Sequence, residues 1–588
     1  MNIPLDTASG LPWRERLQDT RAALAIAQQH GLIEIVARVL AARHIALDDV
    51  PEFLNPQLRT ALPDPFHLRD MDKAVARLMH AIAQKETIAI FGDYDVDGAT
   101  SVSQLMDYFS ALHVPTLPYI PDRMSEGYGP NIAAFDTLIA KGATLIITVD
   151  CGTLAFEPIA HAAAKNIDVM VIDHHMSEAR LPAAVAIVNP NRIDETSPHT
   201  NLCAAGMVFL VLVALNKTLR EAGYFNDARK EPNLLPFLDR VALGTVCDVM
   251  TITGLNRAYV AQGLKLLAQR QHVGLRALAD VARFDAMPSV YHLGFLLGPR
   301  INAGGRVGES DLGIRLLMSQ DANEAATIAK QLDTHNQERQ AIELMVLEQA
   351  LEQSEAQKNM PVILLTSPTW HEGVIGIVAG RLKEKFARPA IIGSEKNGII
   401  KASARSVTGA DMGAVTHRAV SLGLLEKGGG HAAAAGFVFA ANKRDAVHEY
   451  FAQQLSGAVT AYGESRSKLL DGWIRVSGAT QELYDALKQL EPYGLGFPKP
   501  KLALRDAKII HRTVLKDKHL KLVLADDSGK SRLNAIAFNV NDTKLGEMLT
   551  TQQTLHLYGE LSENHWQGSS SLQFMIDDAA VSYLVPRT

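Results

Sequence analysis

Three carboxylates on alternate residues, Asp93, Asp95 and Asp97, lie in the stretch Phe91-Gly92-Asp93-Tyr94-Asp95-Val96-Asp97-Gly98. Ionised side chains crowded this closely repel one another. A divalent cation relieves the repulsion, and hard oxygen donors suit magnesium or manganese. The stretch has a second reading, an Asp-rich surface turn capping a helix from about Ala99 to Ser110. Ligands arriving from elsewhere decide between the two. Asp150 ends the apolar run Thr144–Val149, Asp173-His174-His175 ends Asp168–Ile172, and Asp248 follows the apolar helical run Phe237 to Val246. A His-His pair on its own reads as core. Behind an Asp at a strand end it reads as part of a site, and imidazole nitrogen beside carboxylate oxygen extends the suited metals to manganese.

A scaffold must bring these residues to one rim. From about Met71 to Val188 the strand-like runs Thr87–Phe91, Thr116–Ile120, Thr144–Asp150, Asp168–Asp173 and Ala184–Val188 alternate with helical patterns. That alternation predicts an α/β fold with a doubly wound parallel sheet, whose ligands sit at the carboxyl ends of the strands. Helices are predicted over 202 to 285. Residues 321–357 are almost free of Gly and Pro and predict one connecting helix, roughly 50 Å long at about 1.5 Å per residue. A smaller α/β unit begins with a strand at Pro361–Leu365 and a helix at Ile375–Phe386.

Anion-binding residues gather in three further places. Gly298-Pro299-Arg300-Ile301-Asn302-Ala303-Gly304-Gly305-Arg306 reads as a Gly-rich, flexible loop carrying two arginines and an Asn; guanidinium groups fork onto phosphate oxygens, and glycines let backbone approach an anion. Ser403-Ala404-Arg405 and the triple glycine before His431 mark the second α/β unit, the glycines reading as a backbone concavity for an anion. Arg123, within Pro121–Gly129, is a further candidate. From Trp473 onward, five short strand-like runs suggest an OB-type β-barrel. Lys499, Lys501, Arg505, Lys508, Arg512, Lys516, Lys518 and Lys521 cluster there with the aromatics Trp473, Tyr493, Phe538, Tyr558 and Trp566. Charge with interleaved aromatics suits a single-strand binding groove, whereas solvated charges around core aromatics would look similar.

At 588 residues the chain must divide into several domains. A net charge of -6 excludes a generally basic coat but not a local basic channel. Three scattered cysteines, Cys151, Cys203 and Cys247, lack zinc-site spacing and suit a reducing compartment. The N-terminus lacks the apolar core of a signal peptide, and the longest apolar run, Leu202 to Leu215, is too short to span a bilayer. A cytoplasmic protein without membrane contact is expected.

Taken together, the Asp-x-Asp-x-Asp stretch, Asp150, Asp-His-His and Asp248 resemble the DHH phosphoesterase superfamily. With the clusters at 298–306, 370–373, 403–406 and 428–431, and Glu491–Pro498 leading into the barrel, the chain resembles the RecJ-like single-strand-specific 5′→3′ exonucleases from about residue 70 to its end. Ahead of that stretch, the helical patterns Trp13 to Gln29 and Ile33 to Ala42 predict a small helical lead-in over 1–70, packed on the domain that follows. The resemblance itself concerns what comes after. It implies a DHH domain over 71–320, a connecting helix over 321–357, a DHHA1 domain over 358–460 and an OB domain over 465–588. It makes Asp95, Asp97, Asp150, His174 and Asp248 ligands of two Mn2+ or Mg2+ ions, with Asp150 bridging them, and His175 the residue facing the scissile phosphate. Related pyrophosphatases have a ligand histidine at the position of Phe91, and Asp93 is assigned to that role instead. Ser403, Arg405 and Arg123 would anchor a 5′ phosphate, and Arg300, Asn302, Arg306 and His431 the adjoining backbone. Single-stranded DNA is the implied partner, with single-strand binding protein and a RecQ-type helicase acting alongside a monomer in recombination and repair.

Overall fold

A computed structural model of the chain describes residues 6–122, 126–127, 129–284, 287–566 and 569–581, with the backbone alone at 565, 566 and 569. The chain forms two compact units, one of Leu62–Met250 with Gln262–Ser465, the other of Met1–Ala61, Thr251–Ala261 and Arg466–Thr588.

In the larger unit five parallel strands, Ile88–Gly92, Thr116–Tyr119, Leu145–Val149, Asp168–Ile172 and Ala186–Val188, form the first sheet. Their spatial order is second, first, third, fourth, fifth. The winding therefore reverses between Ile88–Gly92 and Leu145–Val149, and a doubly wound sheet opens its ligand crevice at such a reversal. Both strands are buried throughout, as parallel strands covered on two faces must be. Ala89, Phe91, Ile146 and Val171 pack on one face against Phe135, Leu138, Ile159 and Ala162, from helices Ile132–Ala140 and Phe156–Ala164. Phe91, standing where the pyrophosphatases have a ligand, is thus a core residue, stacked on Tyr119.

The expected connecting helix spans Ala322–Ser354, capped by Asp321, which accepts the N–H groups of Asn323 and Glu324. Its C-terminal half belongs to the next core, where Val346 and Ala350 pack with Ile363, Trp370, Ile375 and Val378. The second sheet comprises Ile363–Ser367, Ala390–Lys396, Ile399–Arg405, Ala434–Ala440 and Lys427–His431 in that spatial order, with only the first pair parallel.

Two segments singled out for their glycines are regular structure. Gly298–Val307 is a helix, entered directly from a π-helical turn, His292–Leu297. Pro299 lies where the π turn passes into the helix, so the N–H it lacks falls at the junction of the two. Its glycines serve packing: a Cβ on Gly305 would lie 3.1 Å from Tyr94 Cδ2. Lys427–His431 is an edge strand in register with Ala434–Val438, so it runs extended and gives alternate amides to a ladder.

In the smaller unit five strands, Leu502–Leu515, His519–Ala525, Arg532–Ala537, Thr554–Trp566 and Ser569–Val581, close into a barrel because the first pairs with both the second and the fourth. The strands run longer than their sequence patterns suggest. Leu502–Leu515 spans two partners through register shifts at 504/507 and 509/511, which interrupt its alternation. The N-terminal segment to Ala61 belongs to this smaller unit, whereas residues 62–70 belong to the larger one. Ala23, Ile26, Val36, Val39, Leu40 and Phe53 share a core with Leu504, Leu522, Leu557 and Phe574 of the barrel, and Trp13–Glu15 pairs in parallel with Lys468–Leu470. Arg257 is a peg in the same unit. Its guanidinium donates to the carbonyls of Phe53, Leu490, Glu491 and Pro492 and lies 3.7 Å from the Phe53 ring centroid.

The barrel's charges and rings are only partly available to a ligand. Tyr558 is buried, Trp473 packs beside Trp13, and Tyr493 stacks on Phe497. Phe538 is 48% exposed; the Trp566 side chain lies outside the described residues. Lys499 and Lys501 pair with Glu560, and Arg512 donates to the carbonyls of Leu549 and Gln552. Lys508 and Lys518 remain exposed. No helix among the described residues is long and apolar enough to cross a membrane.

Candidate metal centre and phosphate cleft

The capping reading of the opening triad holds for Asp95, and the triad's carboxylates also stand among other candidate ligands. Asp95 is the N-cap of helix Val96–Ala111, its Oδ1 accepting the N–H groups of Asp97 and Gly98. Asp95 nonetheless offers an oxygen within 4.8 Å of ligand atoms on Asp93 and Asp150. Asp97 is fully buried and accepts the N–H groups of Ala204 and Ala205, at 2.6 and 2.9 Å, at the start of helix Ala204–Glu221. It forms a second group of mutually close ligand atoms with His174 and Asp248, and Asp150, His174 and His175 form a third. Asp150 and His174 thus bring the groups together at the reversal of the sheet. His174 Nε2 is 3.2 Å from Asp150 Oδ1, 3.4 Å from Asp248 Oδ2 and 3.8 Å from Asp97 Oδ2.

The donor chemistry fits divalent ions. Burial first, and then repulsion by neighbouring aspartates, raises Asp97 to about 6 and Asp248 to about 9, and raises Asp150 well above the carboxylate range. Carboxylates that resist ionising together are a set that a cation stabilises. Asp248 Oδ2 is buried and accepts no hydrogen bond from a described residue. His174, lowered to about 4 by burial and by His175, keeps a neutral imidazole for coordination. Asp150 itself adopts a left-handed backbone, φ 60°, a conformation that Asp tolerates better than most residues.

The two histidines are separated in role by Asp173. Its buried carboxylate accepts the N–H groups of Thr153, His174 and His175 and the His175 Nδ1 proton, the last at 2.7 Å. Burial opposes charge on His175, but Asp173 outweighs it and raises the imidazole to about 9, while Asp173 falls well below the usual carboxylate range. The His175 ring is thereby fixed against Asp173 at the cleft. Asp173 carried no role in the sequence reading beyond heading the Asp-His-His triplet, because a buried aspartate's donors come from loops that spacing does not reveal.

A cleft of about 600 Å³ opens at this rim. Asp93, Asp95, Asp150, His175 and Asp248 line one wall; Asn302 and Arg306, with Ser403 and Arg405 of the second sheet, line the rest. Arg306 Nη1 donates to the Gly373 carbonyl at 3.0 Å, tying the helix to the second α/β layer. Arg405 Nη1 donates to its own strand's Ala404 carbonyl at 2.9 Å. Lys401 and Glu372 also line the cleft, bridged at 3.0 Å. Glu372 falls in the cluster at 370–373, whereas Lys401 was not singled out from sequence. Arg300 is directed elsewhere, paired with Asp333 of the long helix at 2.9 Å. His431 ends the edge strand and is not part of the cleft lining. Arg123 lies outside the described residues.

Comparison with known proteins agrees with this architecture. Family models match as the DHH family N-terminal domain over residues 87–245, the DHHA1 domain over 359–457 and the RecJ OB domain over 470–578. The single-stranded-DNA-specific exonuclease RecJ of Dickeya dadantii is 36% identical, over 87% of this chain and 90% of that protein. Its namesake in Haemophilus influenzae is 34% identical, over 93% and 96%. Crystal structures of Thermus thermophilus RecJ superpose with TM-scores of 0.79 for the Mn2+ complex and 0.74 for the Mg2+ complex. Each is 27% identical and covers 97% of this chain, and 79% and 78% respectively of the crystallised chains. Domain order, cleft and extended similarity together make this chain a member of the RecJ family.

Proposed function

We propose that the chain is a metal-dependent exodeoxyribonuclease that degrades single-stranded DNA from its 5′ end. The observation that carries this is one cleft with acidic and imidazole ligands on one wall and Asn302, Arg306, Ser403 and Arg405 on the others. Asp93, Asp95, Asp97, Asp150, His174 and Asp248 would hold two Mn2+ or Mg2+ ions, with Asp150 shared between them. Such ions supply an activated water and neutralise charge developing on phosphorus. Ser403 and Arg405, with Arg123, anchor the terminal 5′ phosphate. Asn302 and Arg306 hold the next stretch of backbone. His175, kept protonated by Asp173, donates to the scissile phosphate or to the departing 3′ oxygen. The barrel adds affinity for a long strand through backbone charge and stacking. A short-oligonucleotide phosphodiesterase would share the metal site but have no use for that barrel.

In the cell the enzyme acts in the cytoplasm as a monomer, in recombination and repair, alongside single-strand binding protein and a RecQ-type helicase. Digestion of 5′- and 3′-labelled single- and double-stranded DNA with magnesium or manganese tests substrate, polarity and metal together. Release of mononucleotides from the 5′ end of single strands is expected, and Asp150→Ala should abolish it. Full manganese-dependent cleavage by that variant would refute the ligand assignment.

A further inference from the structure

The two most exposed large hydrophobic side chains among the described residues are Met287, 76% exposed, and Phe295, 69% exposed. Tyr291, 59% exposed, lies between them in sequence and four residues, about one helical turn, before Phe295. The Tyr291 and Phe295 rings stack on each other, centroids 5.3 Å apart and planes 22° from parallel. Their exposure is not that of a loose segment. Leu293 and Leu297 of the same turn are buried, and His292 Nδ1 is held at 2.8 Å from Ser289 Oγ while its ring rests 4.7 Å from that of Phe284. A rigid support therefore presents flat apolar surface to water.

The placement points to the occupant. The π turn His292–Leu297 runs without a break into Gly298–Val307, which brings Asn302 and Arg306 to the cleft. At about 1.5 Å per residue, Phe295 precedes Asn302 by roughly 10 Å of helix. Three side chains are far too few for a stable protein interface, which needs about 800 Å² on each partner. Two near-parallel rings do match the π-face that every nucleobase offers, whatever its sequence. We propose that Tyr291 and Phe295 are a base-stacking platform for the single strand where it approaches the cleft. The proposal rests on the single-strand reading above and deepens it by naming a contact to bases.

The test uses the full chain and single-stranded oligonucleotides carrying one abasic residue at successive positions, with KM and kcat measured for each and equilibrium binding read by fluorescence anisotropy. For the unaltered protein, an abasic residue at one or two adjacent positions should weaken binding. The double variant Tyr291→Ala/Phe295→Ala should bind an intact strand roughly tenfold more weakly. It should lose sensitivity at those same positions, with KM rising more than kcat falls. Tyr291→Phe/Phe295→Tyr should restore both. An abasic profile in the alanine variant that matches the unaltered protein overturns the platform, as does a fall in kcat at unchanged KM. Failure of the single-strand reading shows separately, as an unaltered chain that leaves intact single strands undegraded.

Discussion

At the scale of single residues, the centre divides its labour among carboxylates that look alike in sequence. Asp95 and Asp97 each spend part of their hydrogen-bonding capacity on a helix N-terminus, so the loop that would carry metal is also what starts two helices. Asp173 is the opposite case: its carboxylate is held by protein donors at Thr153, His174 and His175, and none of the three close ligand groups includes it. It is a positioning residue for the Thr153 turn and for both histidines. Asp173→Asn replaces an all-acceptor group by one whose amide must face N–H donors. Cleavage should fall by about 10- to 100-fold, the usual cost of losing an orienting partner behind a metal site. Manganese affinity, measured by calorimetry, should change much less, because the proposed ligands are untouched. Equal loss of metal affinity and rate would show that Asp173 holds the ligands and not His175. The acids and histidines were legible because they end apolar runs. The partition between them was not, since it depends on backbone N–H groups contributed by residues 153 and 204, far away in the chain.

Among the elements, the parallel strands were legible to within a residue or two because buried strands read as unbroken apolar runs. The long helix was equally plain, lacking Gly and Pro. The segment Gly298–Val307 was misread because four residues that ordinarily break helices fall within it; here Pro lies at the junction with the π turn and the glycines admit Tyr94 and Leu332. The barrel commits two of its basic residues to its own acids, while Arg505, Lys508, Lys516, Lys518 and Lys521 stay exposed. Glu560 is bonded by Lys499 and Lys501, at 2.9 and 2.7 Å, and Lys501 also reaches Asp577. Burial works to raise the Glu560 pKa, but the two lysines prevail and hold it below the ordinary glutamate range. A depressed folded-state pKa contributes stability that is present above the unfolded value, about 4.3, and is lost as pH falls through the folded value. Glu560→Gln should therefore lower Tm at neutral pH, and the gap to the unaltered protein should narrow as pH drops below about 4.3. A gap that stayed constant to pH 3 would mean that the lysines gain nothing from the charge.

For the whole molecule, chain order misleads about which parts fold together. The first 61 residues belong with the last 123 and with Thr251–Ala261, while the proposed catalytic residues all belong to the other unit. No local signal announces this, since the helices Arg21–His30 and Glu34–Ala42 show only that they have an apolar face, not what covers it. The consequence is a prediction about truncation. A chain ending at Ser465 keeps the cleft but leaves Ala23, Ile26, Val36, Val39, Leu40 and Phe53 without the barrel residues that complete their core. Exposing several such side chains at about 1.5–3 kcal/mol each exceeds what a small helical segment can bear. Residues 1–465 should therefore aggregate or be trimmed by protease near Ala61. Residues 62–465, freed of those helices, should be better behaved, cut short oligonucleotides and bind long single strands poorly. Limited proteolysis and size-exclusion chromatography of the two chains decide the first point, and anisotropy with oligonucleotides of increasing length the second. If residues 1–465 were as soluble and protease-resistant as residues 62–465, the shared core would not be what holds the N-terminal helices. Long-strand affinity undiminished without the barrel would place the binding track wholly within the cleft and its approaches.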